Sequence, residues 1–126
     1  MLNREVVNVP NAPNLPLSPA MKAGSYIFVS GRSGHKDDEG REIKGIKAQT
    51  RQCMERMKQA LEMAGSSVND MVKATIFLAT AEDFAQMNEV YQSYFPDKDY
   101  PARSAVVVGL LNPAMHVEIE CIAYKP

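Results

Sequence analysis

Apolar positions follow two rhythms along the chain. From Ile46 onward Ile46, Thr50, Cys53, Met54, Met57, Leu61 and Ala64 recur at intervals of three and four. That spacing is the stripe of an amphipathic helix, and Gly65 supplies its stop. A second stripe, Phe84, Met87, Tyr91 and Phe95, is introduced by Thr80, whose side chain can cap a helix with Asp83 three residues on, and is closed by Pro96. Elsewhere the pattern reads as strands. Tyr26 to Ser30 is a short β-rich run closed by Gly31, and Met71 to Ala79 is apolar on both sides, as in a central strand covered on both faces. Arg103 to Val108 and Val117 to Tyr124 form the last pair, joined by the turn-rich GLLNPA segment. Residues 10–19, PNAPNLPLSP, contain four of the eight prolines and predict an extended arm, because each ring removes an N–H and restricts the residue before it. RSGHKDDEGREIKG reads as a polar loop or hairpin.

The order of strands, helix, strand, helix, strand, strand predicts an α+β domain over residues 1–126, one sheet with two helices on one face. Two helices cover only one side of a sheet. In the last strand Val117, Ile119, Cys121 and Ala123 point one way, and Glu118, Glu120, Ile122 and Tyr124 the other. A second face this mixed calls for another copy of the chain, with any pocket where subunits meet.

Composition narrows the function. The chain has 126 residues, 45% of them hydrophobic, and a net charge of −1 with Lys and Arg scattered, so there is no electrostatic footprint for nucleic acid or an anionic membrane. The two cysteines, Cys53 and Cys121, lie inside apolar patterns and read as buried thiols. The charged start MLNREVV lacks the apolar centre of a secretory signal, and no run approaches the length of a membrane span, which predicts a cytoplasmic location.

The candidate chemistry gathers in PARSAVVVGLLNPAMHVEIE. Arg103 follows Pro101-Ala102, so its backbone is extended and its guanidinium can fork onto a carboxylate in a way Lys cannot. Glu118 and Glu120 share a strand face about 7 Å apart, where a carboxylate could orient water or shuttle a proton. Whether they share a face with Arg103 depends on register if the last two strands form a hairpin. His35 with Asp37, Asp38 and Glu39 reads as a solvated turn rather than a metal site, and His116 has no triad partner at a suggestive spacing. Ser30-Gly31-Arg32-Ser33-Gly34 lacks the Lys and helix start of a phosphate loop and is assigned to close backbone approach.

With YIFVSG, NDMVKATIFLAT, DFAQMNEVYQSYF and PARSAVVVGLLNPAMHVEIECIA in order, the chain resembles the RidA/YjgF family of reactive intermediate deaminases. The resemblance implies a chorismate-mutase-like fold assembled as a homotrimer, its sheets forming an inner barrel with clefts between subunits. It implies hydrolysis of small 2-imino or enamine acids, of the 2-aminoacrylate/2-iminopropanoate type, to 2-oxo acids and ammonia, without a metal or cofactor. Carried over by position, Arg103 matches the carboxylate-binding arginine and Glu118 the glutamate that holds the hydrolytic water. Ser30, Gly31 and Asn88 match cleft residues, and Glu120 is a supporting acid. Leu17 stands where the best-known deaminases carry Tyr, and Ala105 where they carry Cys. These departures leave two alternatives, a non-catalytic small-carboxylate-binding or regulatory protein, and a deaminase for another catabolic intermediate such as 2-aminomuconate.

Overall fold

A computed structural model describes residues 3–126. Its sheet has six strands, β1 (Arg4–Val7), β2 (Ala20–Ala23), β3 (Tyr26–Ser33), β4 (Met71–Leu78), β5 (Ala102–Val107) and β6 (Val117–Tyr124), in the spatial order β1-β2-β3-β6-β4-β5. Helices α1 (Ile46–Met63) and α2 (Phe84–Gln92) both pack on one face, giving the expected α+β layering. The core lies between them and the sheet. Cys53, Met54, Met57, Ala60 and Leu61 from α1 meet Ile27, Ala74, Ile76, Val117 and Ile119 from the strands, all at most 2% exposed.

Local chemistry accounts for the helix ends. Gly65, at φ +83°, takes the left-handed conformation after α1, letting its N–H reach the Glu62 carbonyl while Ser66 N–H reaches that of Leu61. This satisfies two of the four carbonyls that the end of a helix leaves open. Thr80 Oγ1 does accept a bond from Glu82 N–H at 3.4 Å, but it starts a short 3₁₀ turn over Ala81–Asp83, and α2 proper begins only at Phe84.

Three sequence expectations change. The proline-rich segment is a connector within a hairpin, because β1 pairs antiparallel with β2 on either side of it. Gly31 does not close a strand. β3 runs on to Ser33 through a register shift between Val29 and Arg32 against β6, and Gly31 sits in that shift, where a residue without Cβ is needed. The last two strands form no hairpin. β5 runs parallel to β4 at the sheet edge after the α2 crossover, and β6 returns antiparallel between β3 and β4. A parallel neighbour requires such a crossover, and the long GLLNPA connection lets β6 pass over β4 instead of turning back on β5.

Buried Gln49 secures that connection. Its Nε2 donates to the carbonyls of Ile43 at 3.0 Å and Ala114 at 2.9 Å, and its Oε1 accepts from His116 N–H at 2.8 Å. One side chain from α1 thus satisfies three backbone groups and fixes the approach to β6. Gly34 lets the β3 exit run against the same helix, since a Cβ there would overlap the Gln49 carbonyl.

The face away from the helices carries Tyr26, Phe28, Val106 and Tyr124, each 42–47% exposed. Tyr26 and Tyr124 make an edge-to-face pair at 5.1 Å between ring centroids. The alternation read in the last strand holds: Val117, Ile119, Cys121 and Ala123 are buried under the helices, and the intervening residues are not.

Candidate functional site

The candidate residues fall into two groups on opposite sides of the sheet. Arg103 faces the helices. It stands beside Ala74 in the β4–β5 register, and its Nη1 donates to Asn88 Oδ1 on α2 at 2.8 Å. Its guanidinium carbon lies 5.1 Å from the centre of the Tyr91 ring and 5.6 Å from that of Phe84. Stacking on two aromatic faces and one amide bond orients the planar fork without neutralising it. Among the described residues no carboxylate forms an ion pair with Arg103.

The space in front of it, about 360 Å³, is lined by Asn88, Tyr91, Gln92, Tyr100, Pro101 and Arg103. Tyr91 was legible from the sequence only as part of an apolar stripe. Its ring is buried as that stripe predicts, yet its hydroxyl is buried without a hydrogen-bond partner among the described residues and belongs to this cleft. Burial pushes its pKa up to about 12 against the opposing pull of Arg103, so the phenol keeps its proton and can donate it. The signal that could have found it is spacing, since Phe84, Asn88 and Tyr91 lie four and three residues apart on one helix face. Ala105, two residues beyond Arg103 on the same strand face, packs partly buried against the core.

Glu118 and Glu120 lie on the other face. Glu118 sits directly over Gly31, so closely that a Cβ at Gly31 would overlap its Oε2. Its pKa is raised above the ordinary 4.5, first by burial and then by the neighbouring Glu120 charge. Gly31, Leu17 and Glu118 share the wall of a cavity of about 410 Å³ under the proline-rich connector. Ser30 and Glu120 line an adjoining hollow of about 370 Å³ with Ser18 and Phe28. The Ser30 hydroxyl is already engaged, donating to the Ser18 carbonyl at 2.6 Å, so it ties the connector to β3.

β4 separates β6 from β5, which puts about 10 Å of sheet between the two groups in addition to the change of face. One chain therefore does not bring Arg103 and Glu118 together. The register question left open by the sequence is answered against a shared face, and any joint action of the two residues requires two chains.

The weaker candidates resolve differently. Asp37 is engaged within its own turn, its Oδ1 accepting from Glu39 and Arg41 N–H and its Oδ2 from Arg41 Nε at 2.8 Å. His116 Nδ1 lies 3.4 Å from Asp83 Oδ2, a pairing that the 33-residue separation concealed. The buried thiols are held protonated, Cys121 pushed up to about 12 by burial and Cys53 higher still.

Known proteins share this sequence pattern and fold. The sequence profile described as Endoribonuclease L-PSP matches residues 9–125. The chain belongs to the YjgF/RidA family. A RutC family protein of Pyrococcus horikoshii is 46% identical over 97% of this chain and 98% of its own length. The 2-iminobutanoate/2-iminopropanoate deaminase of Salmonella typhimurium is 35% identical over 87% of this chain and 88% of its own. The crystal structure of Escherichia coli TdcF with bound serine superposes with a TM-score of 0.88 at 32% identity, covering 97% of this chain and 99% of that one. The YjgF/RidA fold is therefore that of the whole described sheet and both helices. Family membership also brings in members named as imine deaminases and one solved with a small amino acid bound.

A pH dependence follows from Glu118. A carboxyl with a raised pKa binds its proton more tightly in the folded chain than in the unfolded one, so it favours folding at low pH and loses that contribution as pH rises through the folded value. Glu118→Gln should therefore be at least as heat-stable as the native chain at pH 7, with the difference shrinking as pH falls to 4. Thermal unfolding by circular dichroism across that range checks it. A variant less stable at pH 7 than at pH 4, relative to native, would show that the ionised carboxylate is held by favourable partners.

Proposed function

We propose that this chain is a hydrolytic deaminase of small 2-imino and enamine acids, acting in clefts formed between copies of itself in a homotrimer. The observation that carries the reading is the Arg103 guanidinium, stacked on Phe84 and Tyr91, steadied by Asn88, and facing open space with no ion-paired carboxylate among the described residues. A small anion whose carboxylate fits the fork completes that geometry. Glu118 of a neighbouring chain, with its elevated proton affinity, then holds a water molecule near the C=N carbon.

In the reaction, water oxygen bonds to the imine carbon while Glu118 takes one water proton. That proton passes to nitrogen to give the neutral carbinolamine, the hydroxyl proton follows it so that nitrogen can leave as ammonia, and the C–N bond breaks as the carbonyl of the 2-oxo acid forms. Ammonia departs. The reactants are not hard to activate, since imines hydrolyse in water unaided, so fixing both in a near-attack arrangement is the main source of acceleration. The named deaminases among the relatives support the substrate class, and the apolar exposed face supports the assembly.

The test is a coupled assay in which a dehydratase generates 2-aminoacrylate and the appearance of 2-oxo acid and ammonia is followed. Native protein is expected to speed it. Loss of a two-bond charge-assisted clamp in Arg103→Ala should lower kcat/KM about 100-fold or more, with an unchanged far-ultraviolet circular dichroism spectrum, and Arg103→Lys should not restore it. Native protein without effect on the rate sinks the substrate assignment.

A second reading keeps the clamp and drops the chemistry. Leu17, 48% exposed, adds an apolar group beside Glu118 and Gly31, and Ala105 adds no polar atom near Arg103. Thermal stabilisation by 2-oxo acids that disappears in Arg103→Ala, without hydrolysis of any imine supplied, supports a carboxylate-binding protein.

A further inference from the structure

Arg32 is the best-buried charged residue that the proposed chemistry does not use. It is 9% exposed, its Nε is buried without a hydrogen-bond partner among the described residues, and no described carboxylate forms an ion pair with it. Taking a guanidinium out of water without pairing it is costly, whereas Gln or Met would fill the same volume at little expense. A purely structural arginine resolves this by binding backbone carbonyls. Arg56, next to it, does just that, donating to the carbonyls of Ser33 at 3.0 Å and Lys36 at 2.7 Å and approaching Asp38 at 3.6 Å. Arg32 makes no such bond among the described residues.

Its surroundings add positive charge and a further unused polar atom. Arg32, His35, Lys36 and Arg56 line one end of the cavity of about 410 Å³ beneath the proline-rich connector, with Leu15 and Leu17 on its apolar side. His35 Nδ1 is likewise buried without a hydrogen-bond partner among the described residues. Of the acidic groups in the wall, Asp38 approaches Arg56 at 3.6 Å, and burial holds the Glu118 carboxyl at a raised proton affinity. Burial, Lys36 and Arg56 all hold His35 below its ordinary proton affinity, and Arg56 adds to the burial of Arg32 in opposing its charge. An anion in the cavity would relieve both.

We propose that this cavity is a second ligand site, which takes a small oxyanion of carboxylate or phosphate type on the fork of Arg32 with His35 Nδ1 as a further contact. The volume suits a small metabolite, and the planar fork suits paired oxygens. None of the cavity's lining residues lines the Arg103 cleft of the same chain. Its wall of Leu17, Gly31 and Glu118 is the one that the proposed function turns toward a neighbouring chain's Arg103, so the Arg32 contacts are additional to that reading, on which this placement rests.

The test uses the full chain in chloride buffer at constant ionic strength, to which inorganic phosphate or succinate is added. The melting temperature should rise in a saturable way with at least one of them, phosphate alone marking a phosphate-type site and succinate alone a carboxylate-type site. Arg32→Gln should weaken that response about tenfold or more, Arg32→Lys should recover it only in part, and Arg103→Ala should leave it intact. Independently of any variant, the His35 imidazole of the native chain should titrate at higher pH when the effective anion is present, as followed by NMR. That readout stands even if Arg32→Gln fails to fold. The proposal is overturned if neither anion stabilises the chain or shifts His35, if Arg32→Gln responds like native protein, or if only Arg103→Ala abolishes the response. Stability that depends on protein concentration and on neither anion would assign the guanidinium to a second copy of the chain, and also overturns it.

Discussion

Arg103→Ala and Glu118→Gln chains, each inactive alone, should regain about one quarter of native activity when unfolded together in equal amounts and reassembled. The expectation comes from the sheet. Arg103 lies on the helix-covered face of β5 and Glu118 on the open face of β6, with β4 between them. If each reaction site takes its arginine from one chain and its glutamate from the next, a mixed assembly contains some seams at which both intact residues meet. Random mixing makes such a seam with a chance of one half for each residue. Separately refolded and then mixed samples give the control, because chains that do not exchange should remain inactive. Activity that stays at the level of the separate variants would mean that the two residues do not share a site.

Replacing Gln49 by Leu should cost about 2–4 kcal/mol of stability, a large effect for a substitution of nearly equal volume. The leucine would leave the Ile43 and Ala114 carbonyls and the His116 N–H without the partner that now satisfies all three. Denaturant unfolding measures this directly, and the midpoint should move without a matching change in slope. Gln49→Glu provides the contrast, since it keeps the acceptor for His116 and loses the donors. A loss under 1 kcal/mol for Gln49→Leu would show that water replaces the side chain freely.

The helices were legible in the sequence because their burial stripes are long and regular. Cys53, Met54, Met57 and Leu61 are all fully buried, and the stop at Gly65 has the geometry its residue type suggests. Strand order was not legible. Nothing in the spacing of Arg103 and Glu118 distinguishes a hairpin from a strand that passes over its neighbour, because pairing is chosen by packing between residues distant in sequence. The β1–β2 hairpin escaped notice for another reason: each strand has only four residues, too few for an alternation to register, and the prolines between them dominate the local pattern. Of the candidate site, Arg103 with Asn88 and Gly31 with Glu118 are brought into contact as separate pairs. The Tyr91 hydroxyl and the lone Arg32 charge were hidden, since an aromatic at a core position and an arginine after a glycine carry no sign of an unsatisfied donor.

β5 is also the last strand of the sheet, bonded to a neighbour along one margin only. The residue proposed to grip the substrate thus rides on an edge strip of backbone restrained from one side only. Its steadiness is borrowed sideways, from the amide and two rings of α2. Loosening that helix would blunt the grip without touching a single atom of the arginine.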